Sequence, residues 1–321
     1  MNSSARIHQR VMRLMGNRFE ISVVSPDADW ADDRIDKAVA EISRIERLLS
    51  TFDSQSQTNL INASAGIRPV QVDTEVFALI QRSVRLSDLT QGAFDITYGS
   101  IDKRLWNFDT TMTTLPDPQT ARRMVRLINY RNILLNATDN SVFLREKGMR
   151  IGFGGIGKGY AAERAKQQLQ SLGVESGIVN AAGDLTTWGV QPSGKPWTIG
   201  IADPNAVRQS SVNNAFSYLA ISNMAVATSG NYEKYAIIGG KRYSHTIDPK
   251  TGYPVSGIKS VTIIAPNAEL ADALATPVMV MGVRVGLDMI NQMRHIACII
   301  IDDADRLHTS TNIRLKTQAV A

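Results

Sequence analysis

The stretch Ile151-Gly-Phe-Gly-Gly-Ile-Gly-Lys-Gly-Tyr160 decides how this chain folds. Glycine stands at positions 152, 154, 155, 157 and 159, which permits close backbone approach and positive φ at an entropic cost. From Ile151 the pattern runs strand, glycine loop, helix (Lys158–Leu172) and strand (Gly177–Ala181). Exposed amides at the start of such a helix form an anion site; the plain alternative is a tight strand-to-helix turn. Two phosphate motifs fit only in part. Gly152-x-Gly154-x-x-Gly157 matches the dinucleotide-binding fingerprint, which needs an acidic residue about 20 residues on, at the tip of the next strand. Glu175 precedes that strand, Asp184 comes late, and the segments beyond are β-rich. Gly152-x4-Gly157-Lys158 resembles a P-loop, but Gly159 stands where the magnesium-binding Ser or Thr belongs. What survives is a phosphate-friendly loop with one lysine.

Upstream, Arg18–Val24 reads as a strand. Asp29–Leu49 places Ile35, Val39, Ile42, Ile45 and Leu49 on one helical face. A polar loop spans Ser50–Gly66, and a second helix starts after Asp73 as N-cap and runs toward Leu89, with Val76, Ile80 and Val84 inward. Gly92–Pro118 is irregular and rich in aromatics, Asp and Thr, and Pro118–Leu127 resembles a short helix. Downstream, strands fall at Trp197–Ile201, Tyr218–Ser222 and Ser260–Ala265. Two helices, about Asn267–Thr276 and Arg284–Met293, with Pro277 ending the first, precede a last strand at His295–Ile301. No repeat or Ser/Gly/Pro linker divides the chain, so a mixed α+β fold with one core is expected over 1–321, its core about 11–303.

The 321 residues are 43% hydrophobic and 20% charged, which excludes a disordered chain, a collagen-like fibre and a coiled coil. A net charge of +5 suits anionic ligands without indicating nucleic acid. Cys298, the one cysteine, sits in an apolar run and reads as a buried, inert thiol. No apolar run approaches the ~18 residues of a membrane helix, so no membrane span is expected. The N-terminus lacks the apolar core of a signal peptide. The chain as written is expected to be soluble and not exported, although one trimmed of its leader would read the same.

Three polar clusters stand out. His245 lies in Lys241-Arg-Tyr-Ser-His-Thr-Ile-Asp-Pro-Lys-Thr-Gly-Tyr-Pro254, between tight turns, and can take a hydroxyl proton near neutrality; a surface hairpin histidine is the alternative. Asp272 and Thr276 in Ala271-Asp-Ala-Leu-Ala-Thr276 are four apart, which puts both oxygens on one helix face. Such oxygens suit magnesium, though a solvated Asp/Thr pair reads equally well. Gly92-Ala-Phe-Asp-Ile-Thr97 and Lys103-Arg-Leu-Trp-Asn-Phe108 could hold a flat ring or belong to the core. Arg122, Arg123 and Arg126 read as a solvated helix face.

Taken in order, these segments resemble the FAD:protein FMN transferases, the ApbE-type flavin transferases. The resemblance runs from Met15-Gly16 to about the last strand. Its landmarks are Ser50-Thr-Phe with Asn59 and Asn62, Gly92-Ala-Phe-Asp95, Gly154-Gly-Ile-Gly-Lys-Gly-Tyr160 and Asn180-Ala-Ala-Gly-Asp184. Ala227-Thr-Ser-Gly-Asn-Tyr232, Ser244-His-Thr-Ile-Asp-Pro-Lys-Thr-Gly-Tyr-Pro254 and Ala271–Thr276 complete them. The resemblance implies a compact α+β, T-fold-like architecture with a central FAD cleft. It also implies a magnesium-dependent reaction in which FAD is cleaved at its pyrophosphate, FMN is joined through phosphate to a Thr or Ser of an acceptor flavoprotein, and AMP leaves. Family members are usually exported. By the same resemblance, Asp272 and Thr276 bind Mg2+ with side-chain oxygens and Gly155 with its carbonyl. Lys158 and the 152–158 loop, Gly152 and Gly154 included, face FAD. Met15, Phe52 and Ala93-Phe94-Asp95 line the flavin or adenine part of the cleft. His245 falls where the family's base lies, with the backbone of Thr246 near the cofactor. Gly152 stands where the family commonly has Asp, Ala182 where it often has Gly, and Thr246 where Ile or Val is usual. Hydrolysis of FAD to FMN and AMP, or flavin binding and trafficking without turnover, are the alternatives.

Overall fold

The chain opens with a hairpin of which the sequence reading saw one arm. The computed structural model describes residues 5–105, 108–204, 215–231 and 235–313; Trp106, Asn107 and Tyr232 of the motifs above lie outside them. β1 (Arg6–Leu14) pairs antiparallel with β2 (Asn17–Ser25), from Arg6 opposite Ser25 to Leu14 opposite Asn17. Met15 (φ 50) and Gly16 (φ 70) form the turn, a pair of positive φ angles whose twist matches the strands. α1 (Ala28–Leu49) is capped by the Asp27 side chain, which accepts from Trp30 N–H, and buries Ile35, Ile42, Ile45 and Leu49. Each such side chain contributes about 1.5–3 kcal/mol of burial. The loop expected over 50–66 contains a helix, α2 (Gln57–Ala63), capped by Ser56. It is too short to show a period.

β3 (Val70–Gln71) leads to α3 (Thr74–Leu89), which starts directly after Asp73 as expected, with Val76 and Ile80 buried. Asp73 makes no side-chain cap bond. α4 (Pro118–Met124) follows, capped by Asp117. β4 (Ile133–Asn136) and β5 (Ser141–Leu144) complete a small sheet of order β3-β5-β4. Ile151–Phe153 is not a strand; it enters the glycine turn as irregular chain, and α5 (Gly157–Ser171) follows. Then come β6 (Gly177–Ala181), β7 (Asp184–Trp188), β8 (Trp197–Ala202), β9 (Ala215–Ile221), β10 (Ala225–Gly230), β11 (Tyr235–Ile238), β12 (Lys241–Ser244) and β13 (Ile258–Ala265). α6 (Ala268–Asn291), β14 (Ala297–Asp302) and β15 (Leu307–Thr309) end the described chain.

Eight strands form one sheet in the order β1-β2-β6-β7-β10-β13-β14-β15, with every neighbour antiparallel. A dinucleotide-binding fold needs a parallel sheet, so the glycine loop belongs to another architecture. α1, α5 and α6 cover one face, packing on Phe19, Ile21, Val179, Val261, Ile263 and Ile300. The β8–β9 ribbon brings Trp197, Ile199 and Ile201 onto the other face, against Leu185, Val226, Ile264 and Ile299. With both faces covered, β7 and β13 are buried along their whole length. Cys298 is buried on β14, and burial pushes its thiol up to about 12, as an inert group requires.

α6 departs from expectation twice. By length and composition it could cross a membrane, yet it packs on β10 and β13 as the central core helix, with Ala271 to Ala275, Val278 and Met279 buried. Pro277 does not end it. The helical path continues past the proline and breaks at Gly282 (φ 80, ψ 171), a conformation open essentially to glycine alone. No atom lies within 4 Å of where a Cβ on Gly282 would stand, so Gly282→Ala tests backbone conformation without a clash. It is expected to cost about 1–3 kcal/mol, read in urea unfolding as a lower midpoint with an unchanged slope.

Candidate active site

The N-terminus of α5 lies against α6, and glycine makes that approach possible. A Cβ on Gly159 would stand 2.1 Å from the Ala268 carbonyl oxygen and 2.7 Å from Cβ of Asp272. The residue before α5, Ile156, offers no capping side chain. The cap comes from the other helix: Gly159 N–H donates to Asp272 Oδ2 at 2.9 Å. A carboxylate at a helix N-terminus is favoured by the free amides and the helix dipole.

Lys158 reaches across this junction. Its ammonium donates to Asp184 Oδ2 at the start of β7 and lies 3.7 Å from Asp272 Oδ1. Asp184 is 3% and Asp272 5% exposed, so one ammonium faces two buried carboxylates. Burial, then the charge of Asp272, pushes the Asp184 carboxyl up to about 7 against the opposing pull of Lys158. Burial also raises Asp272, opposed by Lys158 and the Gly159 amide. Lys158 is raised because the two carboxylates outweigh the cost of burying its charge. One turn along α6 from Asp272, the Thr276 hydroxyl lies 3.2 Å from the Ser229 hydroxyl on β10.

This donor set fits a divalent cation. The ionised cluster carries one surplus negative charge, which a cation would offset. Among the described residues no group of three or more His, Cys, Asp or Glu could hold a metal. Asp272 and Thr276, with the Gly155 carbonyl that the family resemblance adds, would therefore leave positions for water and a ligand's phosphates, the manner in which magnesium is held.

Three further segments gather at the glycine loop. Met15 Cε lies 3.9 Å from the Cβ position of Gly157, and Met15 N–H is anchored on Glu46 Oε2 at 2.9 Å. Thr51 Cγ2 lies 3.7 Å from that of Gly152, which brings the Ser50–Asp53 loop, with Phe52 99% exposed, beside it. The Phe94 ring lies 3.5 Å from that of Gly155. Gly154 is exposed, with no atom within 4 Å of its Cβ position. Ala93 and Phe94 are buried. Asp95 is engaged by protein groups: it accepts from Thr97 N–H, Thr97 Oγ1 and Tyr130 N–H at 2.8, 2.6 and 3.0 Å. Burial raises its pKa against those bonds, so it serves to fix the loop that carries Phe94.

His245 follows β12 and is exposed, its ring edge-to-face with Phe108 at 6.4 Å. The strap around it is rigid. Thr246 N–H donates to Ser244 Oγ at 3.0 Å and its carbonyl accepts from Val255 N–H at 2.9 Å. Ile247 N–H reaches Tyr98 Oη at 3.4 Å, tying the strap to the Asp95 loop. The residues that the sequence reading left without a role are Asp184 and Ser229. Both stand in landmark segments of the resemblance, 180–184 and 227–232, but local spacing gave neither a role.

A sequence model described as the ApbE family matches residues 15–300. An FAD:protein FMN transferase of Klebsiella pneumoniae is 32% identical over 315 residues, 98% of this chain and 95% of the relative. One of Treponema pallidum is 29% identical over 282 residues, covering 84% and 76%. The crystal structure of an ApbE protein from Thermotoga maritima superposes with a TM-score of 0.83 at 31% identity, covering 96% of this chain and 98% of the other. The flavin transferase ApbE from Vibrio cholerae gives 0.81 at 26% identity, covering 96% and 98%.

Gly159→Ala should force α5 off α6 and cost on the order of 3 kcal/mol, measured by chemical unfolding. The raised Asp184 carboxyl sets a second expectation. Between about pH 4 and pH 7 the folded chain holds a proton that the unfolded chain has lost, so this group's contribution to stability falls as pH rises through that window. With chelator present, the thermal midpoint of the Asp184→Asn variant should fall less across the window than that of the unaltered chain.

Proposed function

The chain belongs to the ApbE family, and from that premise we propose that it is a magnesium-dependent FAD:protein FMN transferase that moves FMN onto a Thr or Ser of an acceptor flavoprotein and releases AMP. The observation that carries this reading is the cluster of half-buried Lys158 with buried Asp184 and Asp272 at the amide end of α5, with Thr276 one turn away. A pyrophosphate is the ligand that a lysine, a helix N-terminus and a cation-binding oxygen pair jointly suit.

Bound there, magnesium would lower the cost of charge developing on the phosphate oxygens. Lys158 would add positive charge there, and the glycine loop lets the phosphates approach its amides. Met15 and Phe52 flank that loop and would offer apolar surface to the rings of FAD, with the buried Phe94 ring packed on Gly155. His245 would take the proton of the acceptor hydroxyl as its oxygen bonds to the FMN phosphorus. The bond from that phosphorus to the bridging oxygen breaks, and the electron pair leaves with AMP. The exposure of His245 suits an acceptor as large as a protein, and it also admits water, which makes hydrolysis to FMN and AMP the competing outcome.

Incubation with FAD, Mg2+ and an acceptor domain should add the mass of one FMN to the acceptor and release AMP, and chelation should abolish both. Asp272→Ala is expected to slow transfer about 100-fold or more, and His245→Ala by about 100- to 10,000-fold. Unchanged transfer in Asp272→Ala would overturn the cation assignment. AMP without a mass gain would identify a hydrolase, and intact FAD a binding protein.

A further inference from the structure

The cluster holds one residue for which the proposed reaction has given no task. We propose that Asp184 is a positioning residue: it captures the Lys158 ammonium and so keeps an oxygen of Asp272 open to the divalent cation. This inference rests on the cation-dependent reading of the site given above.

The geometry divides the three groups unequally. Lys158 bonds Asp184 directly, whereas its distance to Asp272 Oδ1 is 3.7 Å, beyond hydrogen-bond range. The other oxygen of Asp272 is occupied by the Gly159 amide. Oδ1 is thus the oxygen that Asp272 can offer, and the lysine is its nearest competitor.

The backbones cannot relieve this competition. Lys158 adjoins Gly159, and Gly159 is locked against Ala268 and Asp272. The partition must come from the third group. Asp184 is well placed to impose it. It sits in the first pair of the β6–β7 ladder, opposite Ala181, on a strand flanked by β6 and β10. Its position is fixed by the sheet, whereas the ammonium ends a flexible four-carbon stem.

Loss of the Asp184 charge removes the group that holds the ammonium away. The lysine then closes the remaining gap to Asp272, to a charge-assisted bond of about 2.8 Å, and contends with the cation for Oδ1. The effect of Asp184 on cation binding runs through Lys158. A direct ligand, or a residue that only supports the fold, would act whether or not the lysine is present.

The test measures Mn2+ binding to the full chain without FAD, by electron paramagnetic resonance and calorimetry, with circular dichroism and thermal midpoints as fold controls. Oxygen ligands accept Mn2+ as they do Mg2+. Asp184→Asn is expected to weaken Mn2+ binding about tenfold or more, and K158M/D184N to return it to within about threefold of the unaltered chain. Asp184→Asn binding as the unaltered chain does would overturn the proposal. So would a double variant that stays as weak as the single one, which would make Asp184 a ligand or a support of the fold. Should Asp184→Asn fail to fold, the double variant alone decides: binding within threefold of the unaltered chain supports the proposal, and a tenfold loss overturns it. Asp272→Ala separates the two levels. If it binds Mn2+ as tightly as the unaltered chain, the cation reading itself fails.

Discussion

The bond from the Gly159 amide to the Asp272 carboxylate is the interaction on which the site depends. It joins two helices at a distance only glycine permits, since any Cβ would collide with the Ala268 carbonyl. Most of the charged apparatus follows from that contact. The residue before Gly159 is Lys158, so its ammonium is delivered to the junction. The residue one turn after Asp272 is Thr276, so its hydroxyl faces Ser229 on β10. α6 is lined with small buried residues, Ala271, Ala273 and Ala275, where it packs among α5, β10 and β13. Catalytic groups and core packing are here one problem.

That economy creates an electrostatic debt. Two carboxylates are buried beside one ammonium, and burial penalises an unpaired charge by several kcal/mol. Protonation of Asp184 near neutrality, a bound cation, or closer capture by Lys158 each reduce the penalty. They compete for the same oxygens. A site of this kind is sensitive to its occupants in a way that a neutral hydrogen-bonded cluster is not.

Legibility in the sequence followed physical scale. α1 and α3 are readable because a 3.6-residue period runs through several turns of each, and Asp73 stands at the start of α3. β1 was missed because Arg6, Arg10 and Arg13 break the apolar alternation of a strand at the edge of the sheet. Pro277 was taken to end a helix that in fact breaks at Gly282, because a missing donor is visible in sequence and a required φ of 80 is not. The strand expected before the glycine loop is irregular chain instead, since strand pairing depends on partners far apart in the sequence. Lys158 lies beside Asp272, with Thr276 one turn along the same helix. Their partners Asp184 and Ser229 lie on strands that only the tertiary fold brings to them, and local spacing carries no record of that.

The site is built with two degrees of exposure, and the division matches a reaction with two unlike substrates. The two carboxylates of the charged cluster are buried, and helix packing and the sheet fix them. His245 is exposed and stands on a strap outside the large sheet. The two are connected without being merged. Phe94 lies on Gly155, Asp95 fixes the loop that carries Phe94, and Tyr98 in that loop receives the amide of Ile247, two residues after His245. Through this chain of contacts the histidine takes its position from the glycine loop while its ring stays open to solvent. A small anionic ligand needs enclosure, because charge stabilisation strengthens as water is excluded. On the proposed reaction, the hydroxyl of a folded acceptor cannot enter such an enclosure, and His245 as its base would stand at the surface. The packing of α5 on α6 supplies the first condition, and the turns that brace the strap supply the second.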